Sequence, residues 1–237
     1  MTPDVQFVVL GAGGLGCPAL LGLRAGGARR VVVVDHDRVE RSNLHRQVLY
    51  DLGDVGAPKA EVAAATLRRA GLEAVAHPIK LTPEAFGPWL SGFEPDAIIV
   101  ECTDSPALKF ACNDACVAQR RRLVLGAALG LRGHAIAVAP GSACYRCVFE
   151  TPPPEALTPS CAEAGVLGSA VGVTGFFLAH LACALAQGQA LEAVGRLYEL
   201  SLGSGIIRTI GGRPRSGCRC RAVHPTESPV STTAVFT

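Results

Sequence analysis

The chain has 237 residues, and its 22 lysines and arginines nearly balance its 20 aspartates and glutamates, for a net charge of +2. This length suits one large α/β domain better than two small ones. The balanced charge excludes the strong basic field that draws proteins to nucleic acid or to membrane surfaces, so we expect neither as a partner.

The start of the chain and its cysteines indicate a compartment. An apolar run begins within a few residues of Met1, which leaves no room for a signal peptide, so we expect a cytoplasmic protein. Ten cysteines in reducing surroundings favour buried thiols, metal ligands or a reactive thiol over a disulfide framework.

The first elements predict a nucleotide-binding turn. Residues 7–10 form a short apolar strand, residues 11–16 (GAGGLG) a glycine-rich turn, and residues 17–24 the start of a helix. Asp35 ends a second buried strand, residues 31–34, where an acidic side chain meets a ribose hydroxyl in such folds. Taken alone, this pattern is also typical of NAD enzymes, and of tight packing between a helix and a strand.

The remaining elements alternate between helix and strand. This order predicts βαβ units and an α/β, Rossmann-like fold, with a mostly parallel twisted sheet and helices on both faces. We expect helices at residues 59–70, 83–90 and 107–121, and strands at residues 74–78, 97–100, 123–125 and 134–139.

A long apolar stretch needs its own interpretation. Residues 164–191 contain no Asp, Glu, Lys or Arg, and about 20 apolar residues suffice to cross a membrane. The stretch has recurrent glycines but no aromatic belt and no basic flank to set an orientation. We therefore favour a helix buried between the sheet and a partner subunit over a membrane span.

Polar residues are concentrated after the second strand. If residues 42–47 (SNLHRQ) form a helical turn, Asn43, Arg46 and Gln47 share one face, which could grip a triphosphate, and His45 points away from it. A capped surface helix with Ser42 as its N-cap explains the same pattern.

Two further charged residues occupy positions that a ligand could reach. Lys59 follows Pro58 at the first turn of a helix, where it could meet an anion, although a lone lysine usually faces solvent. Asp104 follows a strand at the carboxyl edge of the sheet, where it could bind Mg²⁺ or cap the next helix.

Two close cysteine pairs indicate a metal site. Cys144 and Cys147 form a CxxC, and Cys218 and Cys220 form a CxC, so together they could supply the four thiolates of a structural zinc site. A redox CxxC is the alternative, but it leaves the second pair without a purpose. Apart from Cys161, the other cysteines fall in helix or strand patterns and are predicted to lie in the core. They are Cys17, Cys102, Cys112, Cys116 and Cys183.

Six motifs, taken in their order along the chain, resemble those of the ThiF/MoeB/HesA adenylyltransferases, relatives of the ubiquitin-activating enzymes. They are GAGGLG, DHDRVERSNLHRQ, DVGAPKA, CTDS, CYRC and SCAEAGVLG. The resemblance covers roughly residues 5–221 and is far more specific than any single motif. It implies one adenylation domain over residues 1–221 that includes the zinc site. The tail, residues 222–237, is rich in Pro, Ser and Thr and has too few apolar residues to pack, so we expect it to be loosely held.

The resemblance also implies roles for individual residues. ATP would lie over the glycine turn, and a carrier's C-terminal carboxylate would attack its α-phosphorus, which gives an acyl adenylate and pyrophosphate. The carrier would be a small ubiquitin-like sulfur-carrier protein ending in Gly-Gly, and the enzyme a homodimer. The implied positions are Gly11, Gly13 and Gly14 for ATP, Asp35 for ribose, Asn43, Arg46, Gln47 and Lys59 for the phosphates, Asp104 for Mg²⁺, and Cys144, Cys147, Cys218 and Cys220 for Zn²⁺.

Cys161 is the remaining chemical candidate. It precedes an expected helix start near residue 163, which could lower the pKa of its thiol, and relatives use the matching cysteine in sulfur transfer or in a covalent link to the carrier. A structural thiol is the alternative.

Three departures from the family pattern bear on turnover. Lys109 stands where the family often has arginine, and Ser105 stands where it often has asparagine. Relatives often also carry an upstream arginine that reaches the partner's ATP, for which this sequence shows no segment. A non-catalytic ATP-binding partner of a second activating enzyme is therefore an alternative function, and an NAD(P)-dependent oxidoreductase a third.

Overall fold

An eight-stranded sheet runs through the parts of the chain that the computed structural model describes, residues 4–154, 165–189 and 192–222. The strands lie in the order β3-β2-β1-β4-β5-β6-β7-β8. Their bounds are β1 Gln6–Leu10, β2 Arg30–Val34, β3 Glu73–His77, β4 Ile98–Glu101, β5 Arg122–Leu129, β6 Arg132–Val138, β7 Arg196–Ser201 and β8 Ile206–Gly211.

Helices connect and cover these strands. Within the described residues they are α1 Gly16–Ala25, α2 Lys59–Arg69, α3 Pro83–Leu90, α4 Pro106–Ala118, α5 Tyr145–Val148, α6 Gly168–Ala186 and α7 Arg219–Ala222, with 3-10 turns at Arg41–Asn43 and Leu52–Asp54.

The first five strands of this order, β3 to β5, are parallel. The edge strand β3 exposes Glu73 and Val75, whereas strands β2, β1 and β4 are buried on both faces. Alternation within one strand shows why: Phe7 and Val9 pack into the core on one side of the sheet, and Val8 and Leu10 into the core on the other. The Rossmann-like sheet with helices on both faces is thus confirmed.

The last strands are antiparallel, which sequence analysis did not foresee. β5 and β6 form a hairpin, and the turn between them contains Gly130 at φ +57°. β7 and β8 continue the sheet in the same antiparallel manner. The predicted strand at residues 123–125 is therefore only part of the longer β5.

Helix α6 packs against α1, β5 and β6. It is long and apolar enough to cross a membrane, but 61% of its most apolar window is buried inside the protein. Small residues permit this contact, since a Cβ on Gly175 would lie 2.5 Å from the Leu15 carbonyl, and one on Gly22 would lie 2.6 Å from the Ala179 methyl. The predicted burial against the sheet is confirmed.

The strand order reverses between β1 and β4, with β2 and β3 on one side and β5 to β8 on the other. In open α/β sheets, the carboxyl ends of the strands at such a reversal form a ligand crevice. The loops that follow β1, β2 and β4 meet there, and they carry Gly11, Asp35 and Asp104.

Candidate active site

A cavity of about 1450 Å³ opens at this crevice. Ligand pockets usually measure about 300–1,000 Å³, so the cavity has room for a nucleotide and for a further segment. All nine residues assigned to the nucleotide line it: Gly11, Gly13, Gly14, Asp35, Asn43, Arg46, Gln47, Lys59 and Asp104.

The glycine turn is held by close backbone contacts. Gly11 has φ +86°, and a Cβ there would lie 3.1 Å from the Cys102 carbonyl. A side chain at Gly16 would overlap the Gly11 carbonyl, so the start of α1 depends on glycine. The buried Tyr50, which sequence analysis missed, donates its hydroxyl to the Ala12 carbonyl at 2.7 Å. Because Tyr50 and Ala12 are 38 residues apart, no local sequence pattern indicates this contact.

Asp35 fastens the same turn. Its Oδ2 accepts a hydrogen bond from Ala12 N at 2.7 Å, and its Oδ1 accepts one from Asp37 N at 2.8 Å. An ionised carboxylate offers about four lone-pair sites, so both oxygens can still accept from a ribose hydroxyl. The carboxylate is therefore preorganised at the edge of the cavity.

The polar segment after β2 lies against the glycine turn. Arg46 Nη2 donates to Asn43 Oδ1 at 2.6 Å, and a Cβ on Gly14 would lie 3.6 Å from Arg46 Cδ. The side-chain Oε1 of Gln47 is buried and has no hydrogen-bond partner among the described residues. A buried amide oxygen without a partner is costly unless a ligand or water satisfies it.

Two expectations for this segment are wrong. Glu40, not Ser42, is the N-cap of the 3-10 turn, and the Ser42 hydroxyl lies 3.3 Å from a Glu40 carboxylate oxygen. His45 does not face away from the site, because it lines the cavity and its Nε2 lies 3.2 Å from Arg46 Nη1. The prediction assumed an α-helical turn, whereas residues 41–43 form a 3-10 turn and residues 44–46 an irregular turn.

Lys59 does not face solvent. Its side chain is 6% exposed, and Nζ donates to Asp37 Oδ2 at 2.9 Å. Burial by itself would raise the pKa of Asp37, but the hydrogen bond and positive charge of Lys59 outweigh it and hold that pKa below its usual range. Asp37 was not singled out from the sequence, although it lies two residues after Asp35.

Asp104 is exposed in the loop after β4. Ser105, not Asp104, caps α4, since its Oγ accepts a hydrogen bond from Leu108 N at 3.2 Å. Within the described ranges the Asp104 carboxylate makes no hydrogen bond or ion pair, so its oxygens remain open to a hard cation such as Mg²⁺.

An aromatic wall completes the cavity beside β5 and β6. His134, Tyr145 and Phe149 line it, with the His134 and Tyr145 rings 6.1 Å apart and those of Tyr145 and Phe149 4.8 Å apart. Burial, aided by the charge of Lys109, lowers the pKa of His134 to about 4, which keeps the imidazole neutral. The wall could not be predicted from local patterns, because its members come from separate elements of the chain.

The four paired cysteines converge on one point. Sγ of Cys144 lies 3.6 Å from that of Cys218, and Sγ of Cys147 lies 3.5 Å from that of Cys220. Tetrahedral zinc with Zn–S bonds of about 2.3 Å separates its sulfurs by about 3.8 Å, so these thiols fit zinc. Arg215 N also donates to Cys147 Sγ at 3.3 Å, as expected around a metal thiolate.

Five of the remaining six cysteines lie in the described part of the chain. Cys17, Cys102, Cys112, Cys116 and Cys183 are buried free thiols, as predicted. Burial raises the pKa of Cys17 to about 12, which makes that thiol unreactive. Cys161 lies outside the described residues.

Comparisons with known proteins agree with this arrangement. The ThiF family model matches residues 3–221. The sulfur carrier protein adenylyltransferase of Thermus thermophilus is 38% identical over 230 residues, which cover 94% of this chain and 84% of that protein. The adenylyltransferase and sulfurtransferase MOCS3 of Aedes aegypti is 36% identical over 213 residues, which cover 89% of this chain and 48% of that protein.

Coverage differs among these relatives. MOCS3 of Anopheles gambiae is 42% identical over 173 residues, 72% of this chain but 38% of that protein, so the chain spans less than half of either MOCS3 relative. Among solved structures, Escherichia coli MccB with ATP has a TM-score of 0.78 at 20% identity, over 93% of this chain and 68% of that one. This likeness shows a shared fold.

Proposed function

Since the chain belongs to the ThiF family, we propose that it adenylates the C-terminal glycine carboxylate of a small ubiquitin-like sulfur-carrier protein. The observation that carries the proposal is the single cavity that brings together the glycine turn, the cations Arg46 and Lys59, and the open carboxylate of Asp104. Names of relatives, such as the sulfur carrier protein adenylyltransferase of Thermus thermophilus, support the choice of substrate.

The site suits a reaction that needs charge stabilisation more than proton transfer. A terminal carboxyl has a pKa of about 3.5 and is already ionised near neutral pH, so it requires no general base. Its oxygen forms a bond to the α-phosphorus of ATP while the bond from that phosphorus to the bridging oxygen breaks, and pyrophosphate leaves with that electron pair. Arg46 and Lys59 would offset the negative charge that gathers around the phosphates.

The cavity supports a second substrate segment beside the nucleotide. The lining of the cavity also includes the apolar side chains of Ala127, Leu129 and Phe149. A flexible peptide end without bulky side chains would fit beside a nucleotide in a cavity of this size, and a carrier ending in Gly-Gly has such an end.

Two metals belong to the proposal. Mg²⁺ on Asp104 would neutralise phosphate charge and orient an in-line displacement. Zn²⁺ on Cys144, Cys147, Cys218 and Cys220 would be structural, because all four ligands come from the protein and leave no open position.

Cys161 and the subunit arrangement are further parts of the proposal. We assign Cys161 to sulfur transfer or to a covalent link with the carrier, and a Cys161→Ser variant that still forms the carrier adduct would make this cysteine structural. The exposed apolar side chains Val173 and Phe176 on α6, 45% and 49% exposed, support a homodimer. A monomeric mass by light scattering would contradict it.

Exchange of labelled pyrophosphate into ATP tests the reaction. We expect exchange that depends on a sulfur carrier ending in Gly-Gly, tested as a panel, and that disappears when the last glycine is deleted. ATP binding without exchange would favour a non-catalytic partner, and binding of NAD in place of ATP would favour an oxidoreductase.

A matched pair of aspartate variants assigns the metal ligand. Asp104→Ala should lower exchange by at least about a hundredfold, within the range seen when one group that stabilises transition-state charge is removed. Asp96→Ala removes an exposed carboxylate at the opposite end of β4 and should leave exchange unchanged. Near-full exchange by Asp104→Ala would remove Asp104 from the mechanism.

A further inference from the structure

Lys109 and Glu101 form a buried ion pair next to the loop that carries Asp104. Their side chains are 5% and 0% exposed, and Lys109 Nζ donates to Glu101 Oε2. Glu101 ends β4 and Lys109 lies in the first turns of α4, so the pair joins the two elements that flank the loop.

The same pair grips the residue before Asp104. Thr103 donates to Glu101 Oε1 through its backbone N at 3.0 Å, and also through its hydroxyl. Lys109 Nζ in turn donates to the Thr103 carbonyl at 2.6 Å. Every polar group of Thr103 is thus fixed by one member of the ion pair.

Lys109 has no donor left for a substrate. An ammonium group has three N–H bonds, and the third reaches the Gly126 carbonyl on β5 at 2.7 Å. Lys109 borders the cavity, but all three of its donors are used. Lys59 differs, because among the described residues the Nζ of Lys59 has Asp37 as its one partner.

Removing one member of this ion pair costs free energy, because the other member remains buried. Burial raises the pKa of Glu101, and the Lys109 ammonium and the Thr103 donors act against that effect. Without the ammonium, a fully buried carboxylate would lose its charged partner and take up a proton, which would change the hydrogen bonds that hold Thr103.

We propose that Lys109 is a positioning residue that, through Glu101 and Thr103, holds the Asp104 carboxylate where the cation of a metal–nucleotide complex binds. This inference rests on the proposed function, which assigns Mg²⁺ to Asp104. It predicts that removing the charge of Lys109 weakens the Mg²⁺-dependent part of nucleotide binding. If Lys109 served packing alone, its removal would lower only the stability of the protein.

Calorimetric ATP binding, measured with saturating Mg²⁺ and with a chelator, tests the inference. For the unaltered protein, Mg²⁺ should strengthen ATP binding. In Lys109→Met, which keeps most of the unbranched side chain but removes the ammonium group, this enhancement should fall about 10- to 100-fold, as when an outer-shell partner of a metal ligand is lost. Binding in chelator should change by less than about twofold, since the glycine turn and Asp35 are untouched.

Arg121→Met is the matched control. Arg121 is also a buried cation that donates to backbone carbonyls, those of Phe93 and Leu90, but it lies outside the cavity. It should lower the melting temperature and leave the Mg²⁺ enhancement unchanged. If Lys109→Met does not fold, Thr103→Val, which removes the hydroxyl bond to Glu101, should lower the enhancement in the same direction.

Three results would overturn the inference: an unchanged enhancement in whichever of Lys109→Met and Thr103→Val folds, an equal loss in Arg121→Met, or no Mg²⁺ enhancement in the unaltered protein. Pyrophosphate exchange is measured separately. A protein that shows the predicted Mg²⁺ effect but no exchange keeps the positioning role and loses the proposed adenylation.

Discussion

Asp35 and Lys59 show how far single residues could be interpreted from the sequence. Both were placed at the nucleotide site by their position after a strand and at a helix start, and both line the cavity. Their partners were not predicted, because the Asp35 bond to Ala12 and the Lys59 bond to Asp37 join residues more than 20 positions apart. Such contacts depend on tertiary packing rather than on local pattern.

His134 gives a pH dependence at the residue scale. Its folded pKa is about 4 against an ordinary value of 6.5, so between these values the unfolded chain binds a proton that the folded chain does not. Stability is therefore lost as pH falls from 6.5 to 4. The contribution is on the order of 3 kcal/mol, and His134→Gln should remove it from urea-unfolding free energies measured across this range.

The comparison needs a control, because carboxylates titrate in the same pH range. His180→Gln removes an exposed histidine from α6 and should follow the unaltered protein. Parallel pH curves for His134→Gln and the unaltered protein would mean that His134 ionises alike in the folded and unfolded chains.

At the scale of elements, strands and helices were predicted correctly where burial imposed a clear periodicity on the apolar residues. The buried strands β1, β2 and β4 and the helices between them lie within one or two residues of expectation. β7 and β8 were missed, although Gly203 and Gly205 between two apolar runs are a usable hairpin signal. Every residue of β8 is exposed, so this edge strand lacks the alternation that marks a half-buried one.

Two glycines of α6 offer an internal comparison of packing. Gly175→Ala would place a methyl 2.5 Å from the Leu15 carbonyl, and we expect a loss of about 1–3 kcal/mol from overpacking. Gly172 has no atom within 4 Å of its would-be Cβ among the described residues. Gly172→Ala should therefore stabilise the helix by about 0.5–1 kcal/mol.

Chemical unfolding of both variants measures the difference. Because the two substitutions are identical and lie three residues apart in one helix, helix propensity cancels between them. Equal free energies of unfolding would contradict the close approach of α6 to α1.

At the scale of the whole molecule, the cysteine cluster joins distant parts of the chain. Cys144 is the N-cap of α5 and Cys147 lies within it, whereas Cys218 and Cys220 lie beyond β8. Cys144 and its contact Cys218 are 74 residues apart in the sequence. The pairing was predictable, since two close pairs of thiols are typical of zinc sites. Its link to the cavity was not, because it depends on α5 carrying Tyr145 into the aromatic wall.

Metal analysis tests this cluster. The purified protein should contain about one zinc per chain, as four thiolates imply, and chelation should lower its melting temperature. Cys218→Ser should reduce the zinc content, whereas Cys116→Ser, at a buried cysteine outside the cluster, should not. A metal content near zero would refute the four-thiolate site.

The most direct measurement of the central claim is the intact mass of a Gly-Gly carrier after incubation with the protein, ATP and Mg²⁺. We predict a carrier species heavier by one adenylyl group, which hydroxylamine removes, and no such species with a carrier that lacks its last glycine. An unmodified carrier across the panel, with the protein folded and ATP bound, would contradict adenylation by this chain.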